Sequence, residues 1–224
     1  MNKTGFKIIS LLAVALLLAA CERGPKKTDV IIGYQTDPLP LTIALASGEA
    51  GNFDGYSVQY RKFNSGADVL AALTAGDVQI GYSGSTPLAA SSSRGIPFRI
   101  FYVASVSGAD EALVARNGSG ITSTADLKGK KLAVAPASTD HYQLLALLDF
   151  EHVAADQTTV LLMSQTDIAA AWSRGDIDAA FVWNPVLDEL RKNGTVIATS
   201  ADVAERGAAT FSAWIVEEKF AKEH

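Results

Sequence analysis

The sequence predicts a mixed α/β fold of two similar lobes, each built on a mostly parallel sheet with helices on both faces. Three observations point to it. Short β-rich runs alternate with helical runs from about residue 30 onward, joined by short connections, which is the pattern of parallel sheets covered on both sides. One helix–stop–strand unit occurs twice: Asp68-Val69-Leu70-Ala71-Ala72-Leu73-Thr74-Ala75-Gly76-Asp77-Val78 is echoed by Asp167-Ile168-Ala169-Ala170-Ala171-Trp172-Ser173-Arg174-Gly175-Asp176-Ile177. The chain beyond its N-terminal segment, about 200 residues, holds either one large domain or two small lobes, and the echo favours two.

Along the chain, residues 30–34 are an apolar strand ending in a turn, and 42–50 read as a helix closed by Gly51. Residues 57–63 alternate like a strand. Residues 67–75 are helical, with Asp68 in the first turn and Gly76 as the stop, followed by a strand over 78–82. Pro87 opens a helix over 87–93 that Gly95 ends, and strands follow at 98–105 and 111–115. A single helical turn at 125–128 precedes a strand at 131–135 and a helix at 142–150. Further strands fall at 159–162, 179–182 and 196–198.

The N-terminus has its own logic. Lys3 and Lys7 precede an uncharged apolar run over residues 8–20. It is shorter than the ~20 apolar residues that span a bilayer, and it fits the hydrophobic region of a signal peptide. It ends in Leu18-Ala19-Ala20-Cys21, the pattern of a bacterial lipobox, and Cys21 is the only cysteine. A secreted chain with one thiol makes no internal disulfide; lipidation of Cys21 accounts for it, the alternative being an ordinary signal peptide with a chance cysteine. The expected organisation is a signal peptide over 1–20, a lipid-anchored tether over 21–29, a first lobe over 30–112 completed by 210–224, and a second lobe over 113–209.

Composition excludes several classes. The 224 residues are 48% hydrophobic and 19% charged, with net charge −5 and no basic stripe, which argues against a nucleic-acid partner. His141, His152 and His224 have no metal-ligand spacing with each other or with Cys21. Gly81-Tyr82-Ser83-Gly84-Ser85 lacks the second glycine of a nucleophile elbow, and neither a P-loop nor a dinucleotide fingerprint follows a strand. His141 near Ser138 has the look of a base beside a nucleophile, but a histidine at a helix terminus explains it as well.

Two turns carry candidate binding chemistry. Gly84-Ser85-Thr86-Pro87 and Ser138-Thr139-Asp140-His141 each follow a strand and open a helix. The first N–H groups of a helix lack internal partners and bind anions, and ligands of open α/β sheets sit beyond the strands' carboxyl ends. Plain helix capping is the alternative for either turn. Trp183 at a strand end and Trp214 late in the chain are pocket walls or core; Trp172, on a helix face among alanines, reads as core. Glu111 and Asp37 are either solvated turn residues or carboxylates that hold a cationic group or a hinge.

These stretches are familiar. Tyr34-Gln35-Thr36, Arg61-Lys62-Phe63-Asn64-Ser65-Gly66-Ala67, Gly76-Asp77-Val78-Gln79-Ile80-Gly81, Gly84-Ser85-Thr86-Pro87-Leu88-Ala89, Glu111-Ala112-Leu113-Val114, Ser138-Thr139 before His141-Tyr142, Arg174-Gly175-Asp176-Ile177-Asp178, Trp183 before Pro185, and Trp214 together resemble the nitrate, sulfonate and taurine solute-binding family of bacterial ABC importers. The likeness runs from about residue 30 to the end and is most specific for the taurine branch. It implies a periplasmic-binding-protein-like fold of type II that closes on its ligand, with no catalysis and no cofactor. The implied partners are a small organosulfonate such as taurine, an ABC permease and, through it, ATPase subunits, with the membrane reached by the lipid anchor and the protein a monomer. By carry-over, Ser85, Thr86, Ser138 and Thr139 resemble sulfonate-facing positions. Gln35, Glu111, His141, Tyr142, Trp183 and Trp214 resemble the pocket wall.

Two departures matter. Taurine-binding members carry an Asp two residues before the late Trp, where this chain has Ser212; Asp37 is a possible substitute for the lost charge. Family members also continue past the equivalent of His224 with helices that complete the first lobe, whereas this sequence ends in a helical stretch at 218–224. The alternatives left open are a carrier for an amine-free sulfonate, another small anion or a vitamin precursor, an enzyme on the same scaffold, and a protein that feeds a chemoreceptor.

Overall fold

The computed structural model describes residues 27–35, 40–48, 50–51 and 53–224. Cys21, Asp37 and the expected signal peptide lie outside the described residues.

Within them the order is β1 (Thr28–Gln35), α1 (Pro40–Ser47), β2 (Tyr56–Phe63), α2 (Gly66–Thr74), β3 (Ile80–Gly84), α3 (Ser85–Ser92), β4 (Phe98–Val106), β5 (Glu111–Arg116), β6 (Lys131–Val134), α4 (Thr139–Phe150), β7 (Thr159–Leu162), α5 (Gln165–Arg174), β8 (Ala179–Trp183), α6 (Val186–Leu190), β9 (Gly194–Thr199), α7 (Ser200–Glu205), β10 (Phe211–Glu217) and α8 (Glu218–Glu223). Two short 3₁₀ turns flank β6 and α4. β1 takes in Thr28 and Asp29, so the last residues of the expected tether are strand. α1 stops at Ser47 and not near Gly51, because Gly48 adopts φ 77° and turns the chain. α4 starts three residues earlier than periodicity suggested, because Ser138 caps it.

The strands form two five-stranded sheets with matching order, β2-β1-β3-β10-β4 and β7-β6-β8-β5-β9. In the first, β1 runs parallel to β2 and β3, while β10 is antiparallel to both β3 and β4. In the second, β6 runs parallel to β7 and β8, while β5 is antiparallel to both β8 and β9. Each sheet therefore has one reversed strand, and that strand is the one delivered by a crossing from the other lobe. The chain crosses at 107–110 and returns at 206–210; the Ser107 N–H donates to the Thr210 carbonyl at 3.0 Å and ties the two crossings together. Glu111 and Ala112, expected at the end of the first lobe, pair with Trp183 and Val182 of β8 and so begin the second sheet.

The repeated unit is repeated in its chemistry. Ser65 and Ser164 cap α2 and α5, each accepting from the backbone N–H of an Asp three residues on, at 3.2 Å in both cases, and each donating its hydroxyl to that Asp. Gly76 (φ 81°) and Gly175 (φ 78°) then reverse the chain, and Asp77 and Asp176 N–H groups bond back to Ala72 and Ala171 carbonyls. Local sequence alone specifies this cap-to-stop signature, so the same supersecondary unit forms twice.

The second sheet is packed on both faces. Leu113, Leu132, Val134 and Phe181 meet α4 through Leu144, Leu147 and Leu148 on one side. Ala112, Val114, Ala133 and Val182 meet α5 and α6 through Ile168, Trp172 and Leu187 on the other. Alternate residues of β5 point to opposite cores, as the two-residue strand period requires. Trp172 is core as expected, with its indole N–H donating to Asn193 Oδ1 at 2.6 Å. The first sheet has a core of Leu70, Leu73, Val78, Leu88, Ala213 and Ile215, while its edge strand β4 leaves Ile100, Phe101, Tyr102, Val103 and Val106 about half exposed or more. No helix among the described residues is long and apolar enough to cross a membrane.

Candidate functional site

The carboxyl ends of β3 and β6 face the gap between the sheets, and a helix starts at each. α4 is capped by Ser138, whose Oγ accepts from the His141 N–H at 3.1 Å and donates to the Ala135 carbonyl at 2.7 Å. α3 is capped by Gly84, which brings no side chain to the orphan donors of its first turn. The absence of a Cβ there is a requirement of the other lobe. A Cβ on Gly84 would lie 2.8 Å from Thr139 Cγ2.

Between these termini is a narrow cleft of ≈ 30 Å³ lined by Gln35, Glu111, Ser138, Thr139, Trp183 and Ser212, together with Ser65, Gly66, Tyr82, Gly84 and Pro136 among others. Six of the residues picked out from sequence thus converge on one space. Beyond Trp183 lies an adjoining cavity of ≈ 260 Å³ lined by Lys62, Asn64, Ser164, Gln165, Thr166, Pro185 and Val186. Larger hollows of ≈ 410 to 450 Å³ occur on the first sheet. Two of them are surface grooves away from the helix termini, and the third opens beside the starts of α3 and α4.

The other candidates fall elsewhere. Ser85, Thr86 and Tyr142 line an apolar groove with Leu88, Phe98, Ile100 and Phe211, and Ser85 Oγ accepts from the Phe211 N–H at 3.3 Å. Trp214 stacks at a tilt on Tyr82 with ring centroids 5.2 Å apart, and Tyr82, not Trp214, reaches the cleft. His141 turns back on its own loop, its Nδ1 accepting from the Ala137 N–H at 3.3 Å, and burial holds its imidazole below the usual range.

Glu111 is the chemically unusual member of the cleft. It is 7% exposed; Oε1 accepts from Thr139 Oγ1 at 3.1 Å and Oε2 from Ser200 Oγ at 3.2 Å. Asp140, the second residue of α4 and the neighbour of Thr139, is fully buried, and neither of its carboxyl oxygens meets a hydrogen-bond donor. Burial raises the Glu111 pKa, with the Asp110 charge adding to the effect, while hydrogen bonds from Asp140, Thr139 and Ser200 oppose it. Burial, then the Glu111 charge, push Asp140 well above the ordinary carboxylate range. Sequence reasoning missed Asp140, Gln143 and Ser200, whose side chains meet only after α4 and α7 pack beside β5. Ser65 and Gly66 were missed as well, although the Ser-x-x-Asp cap of α2 was legible. Among the described residues no cluster of three or more His, Cys, Asp or Glu side chains has the arrangement of a metal site.

Comparison with known proteins agrees with this architecture. The family model NMT1/THI5 like matches residues 52–224. The taurine-binding periplasmic protein of Escherichia coli (strain K12) is 41% identical over 196 residues, covering 88% of this chain and 61% of that protein. This chain therefore spans about three fifths of the length of that curated relative. The alkanesulfonate-binding protein SsuA from Xanthomonas axonopodis pv. citri, bound to MOPS, superposes with a TM-score of 0.76 at 22% identity, over 89% of this chain and 69% of that one. The periplasmic aliphatic sulphonate binding protein SsuA from Escherichia coli gives 0.73 at 22% identity, over 88% and 67%. At that identity the structures establish the fold, a two-lobed periplasmic-binding-protein architecture. With its sheets, its repeated unit and a family model that matches residues 52–224, most of its length, the chain belongs to the NMT1/THI5-like family.

Proposed function

We propose that this chain is the solute-binding component of a bacterial ABC importer and captures a small aliphatic sulfonate, with taurine the best-supported ligand. It works on the periplasmic or cell-surface side, anchored through a lipid on Cys21, as a monomer without cofactor or catalytic turnover. The observation that carries this reading is the convergence, from different lobes, of the α3 and α4 N-termini on one cleft that also holds Glu111, Trp183 and Ser212. Paired helix N-termini suit a tetrahedral anionic head, and an aromatic wall suits a short aliphatic stem. The 41% identity to a taurine-binding periplasmic protein supports the same ligand class.

The mechanism is capture by closure. Ligand contacts made by both lobes exist only when the lobes meet, so binding shifts the population toward the closed form that the permease recognises. The two crossings at 107–110 and 206–210 are where such a motion pivots. A second reading, an amine-free sulfonate as ligand, is favoured by Ser212, which offers the cleft a hydroxyl and no charge. Calorimetric titration of the purified chain with taurine and with ethanesulfonate tests both. Saturable binding of either supports a sulfonate carrier; release of sulfite on incubation rejects the non-enzymatic role.

A further inference from the structure

We infer that Glu111 and Asp140 hold one proton between them at the back of the cleft, and that the single negative charge they present selects a ligand with a cationic group beside its sulfonate. The inference rests on the sulfonate reading above.

The first ground is geometric. No donor reaches either oxygen of the fully buried Asp140, and Thr139, its neighbour on α4, donates to Glu111 Oε1 at 3.1 Å. Ionised carboxylates are acceptors only, so two of them hydrogen-bond only if one carries a proton. That proton belongs on Asp140, which has no donor to stabilise a charge, whereas Glu111 has two. Glu111 also accepts from Thr139, and the Ser200 hydroxyl lies between Glu111 Oε2 and Gln143 Oε1. The raised pKa directions of both groups agree with a shared proton.

The second ground is the charge inventory. The groups facing the pair are Asp110 ahead of β5, Thr139 and Gln143 on α4, Ser200 on α7 and Trp183 opposite on β8; none is cationic. Gln143 Nε2 is committed to the Ser200 and Ala208 carbonyls at 3.4 and 3.1 Å. Arg191 is engaged by the Ala109 carbonyl and the Asp188 carboxylate, and Lys62 lines the cavity beyond Trp183. Among the described residues lining the cleft, Glu111 is the one carboxylate and no Lys or Arg is present. A monoanion entering there meets an uncompensated like charge in a desolvated space. A zwitterion brings its own cation. An amine-free sulfonate has to bind together with a second proton, which neutralises Glu111. Neutral Asp140 matters for the sulfonate end too, because an ionised carboxylate in the first turn of α4 would compete for the positive end of that helix.

The test is calorimetric titration of the purified chain with taurine and with ethanesulfonate, over a pH series and in two buffers of different ionisation enthalpy, with the infrared spectrum of the ligand-free chain recorded alongside. Expected are a carbonyl band from a buried protonated carboxyl at neutral pH, absent in Asp140→Asn, and taurine binding without net proton uptake. Ethanesulfonate is expected to bind about tenfold more weakly or worse, with uptake of about one proton and tightening as pH falls. Glu111→Gln should reverse the preference. Equal loss of both ligands in Glu111→Gln, or ethanesulfonate binding in the wild type without proton uptake, would overturn the charge selection. A missing carbonyl band would overturn the shared proton. If neither sulfonate binds the wild type, the sulfonate reading itself falls, and the band still decides whether the pair holds its proton.

Discussion

Gly84 and Thr139 belong to different lobes, and the missing Cβ of one is filled by the methyl of the other: a Cβ on Gly84 would stand 2.8 Å from Thr139 Cγ2. Gly84 has φ −76° and ψ 159°, which any residue adopts, so its backbone does not call for glycine. The closed approach does. Gly84→Ala is therefore expected to leave melting temperature nearly unchanged, since the open form relieves the clash. It should weaken ligand binding by about tenfold or more, through the lost population of the closed form. Calorimetry paired with a melting curve checks it; equal losses in stability and affinity would point to damage inside a lobe.

Trp183 ends β8, pairs in register with Glu111 and walls both the cleft and the adjoining cavity. Trp183→Ala should raise the dissociation constant at least about tenfold, ~1.4 kcal/mol, by removing the apolar surface against which a short alkyl stem packs. Unchanged affinity would remove Trp183 from the site.

Ser138 does capping work whatever the ligand. Ser138→Ala removes an acceptor for the His141 N–H and a buried bond to the Ala135 carbonyl, and is expected to cost ~1 kcal/mol of stability, read in urea denaturation.

Two carboxyl sites should respond to pH in opposite directions. Asp126 accepts from the backbone N–H and hydroxyl groups of Thr122 and Ser123, which lowers its pKa from 3.8 to about 2. Its contribution is present above 3.8 and is lost as pH falls through about 2. The destabilisation caused by Asp126→Asn should accordingly fade over that range. For Asp140 and Glu111 the folded pKa values are raised, so the folded chain binds more protons than the unfolded one and stability falls as pH rises above the ordinary carboxylate range. Asp140→Asn keeps a donor toward Glu111 and should flatten that decline, measured as denaturation midpoints across a pH series.

Much of this architecture is written locally. The Ser-x-x-Asp cap, the apolar stripe and the Gly-Asp stop of 65–77 and 164–176 act within a few residues, so they are readable without neighbours and recur in the structure with the same bonds. The strand at β5 was likewise legible from its apolar run, and Trp172 from its helix face. Other features depended on partners distant in sequence. β10 lies between β3 and β4, and β5 between β8 and β9, placements that a run of apolar residues does not encode. That Gln35, Glu111, Thr139, Trp183 and Ser212 share a cleft follows from those two crossings, whereas Ser85, Thr86, Tyr142 and Trp214, equally prominent in sequence, lie outside its lining. The sequence by itself determined the units and their caps, because hydrogen bonds over three or four residues and hydrophobic periodicity are short-range. Only the tertiary structure decided which chemistry meets which. Asp140 became a buried acid because α4 packs it against Glu111 and away from water, and nothing within its own helical turn required that.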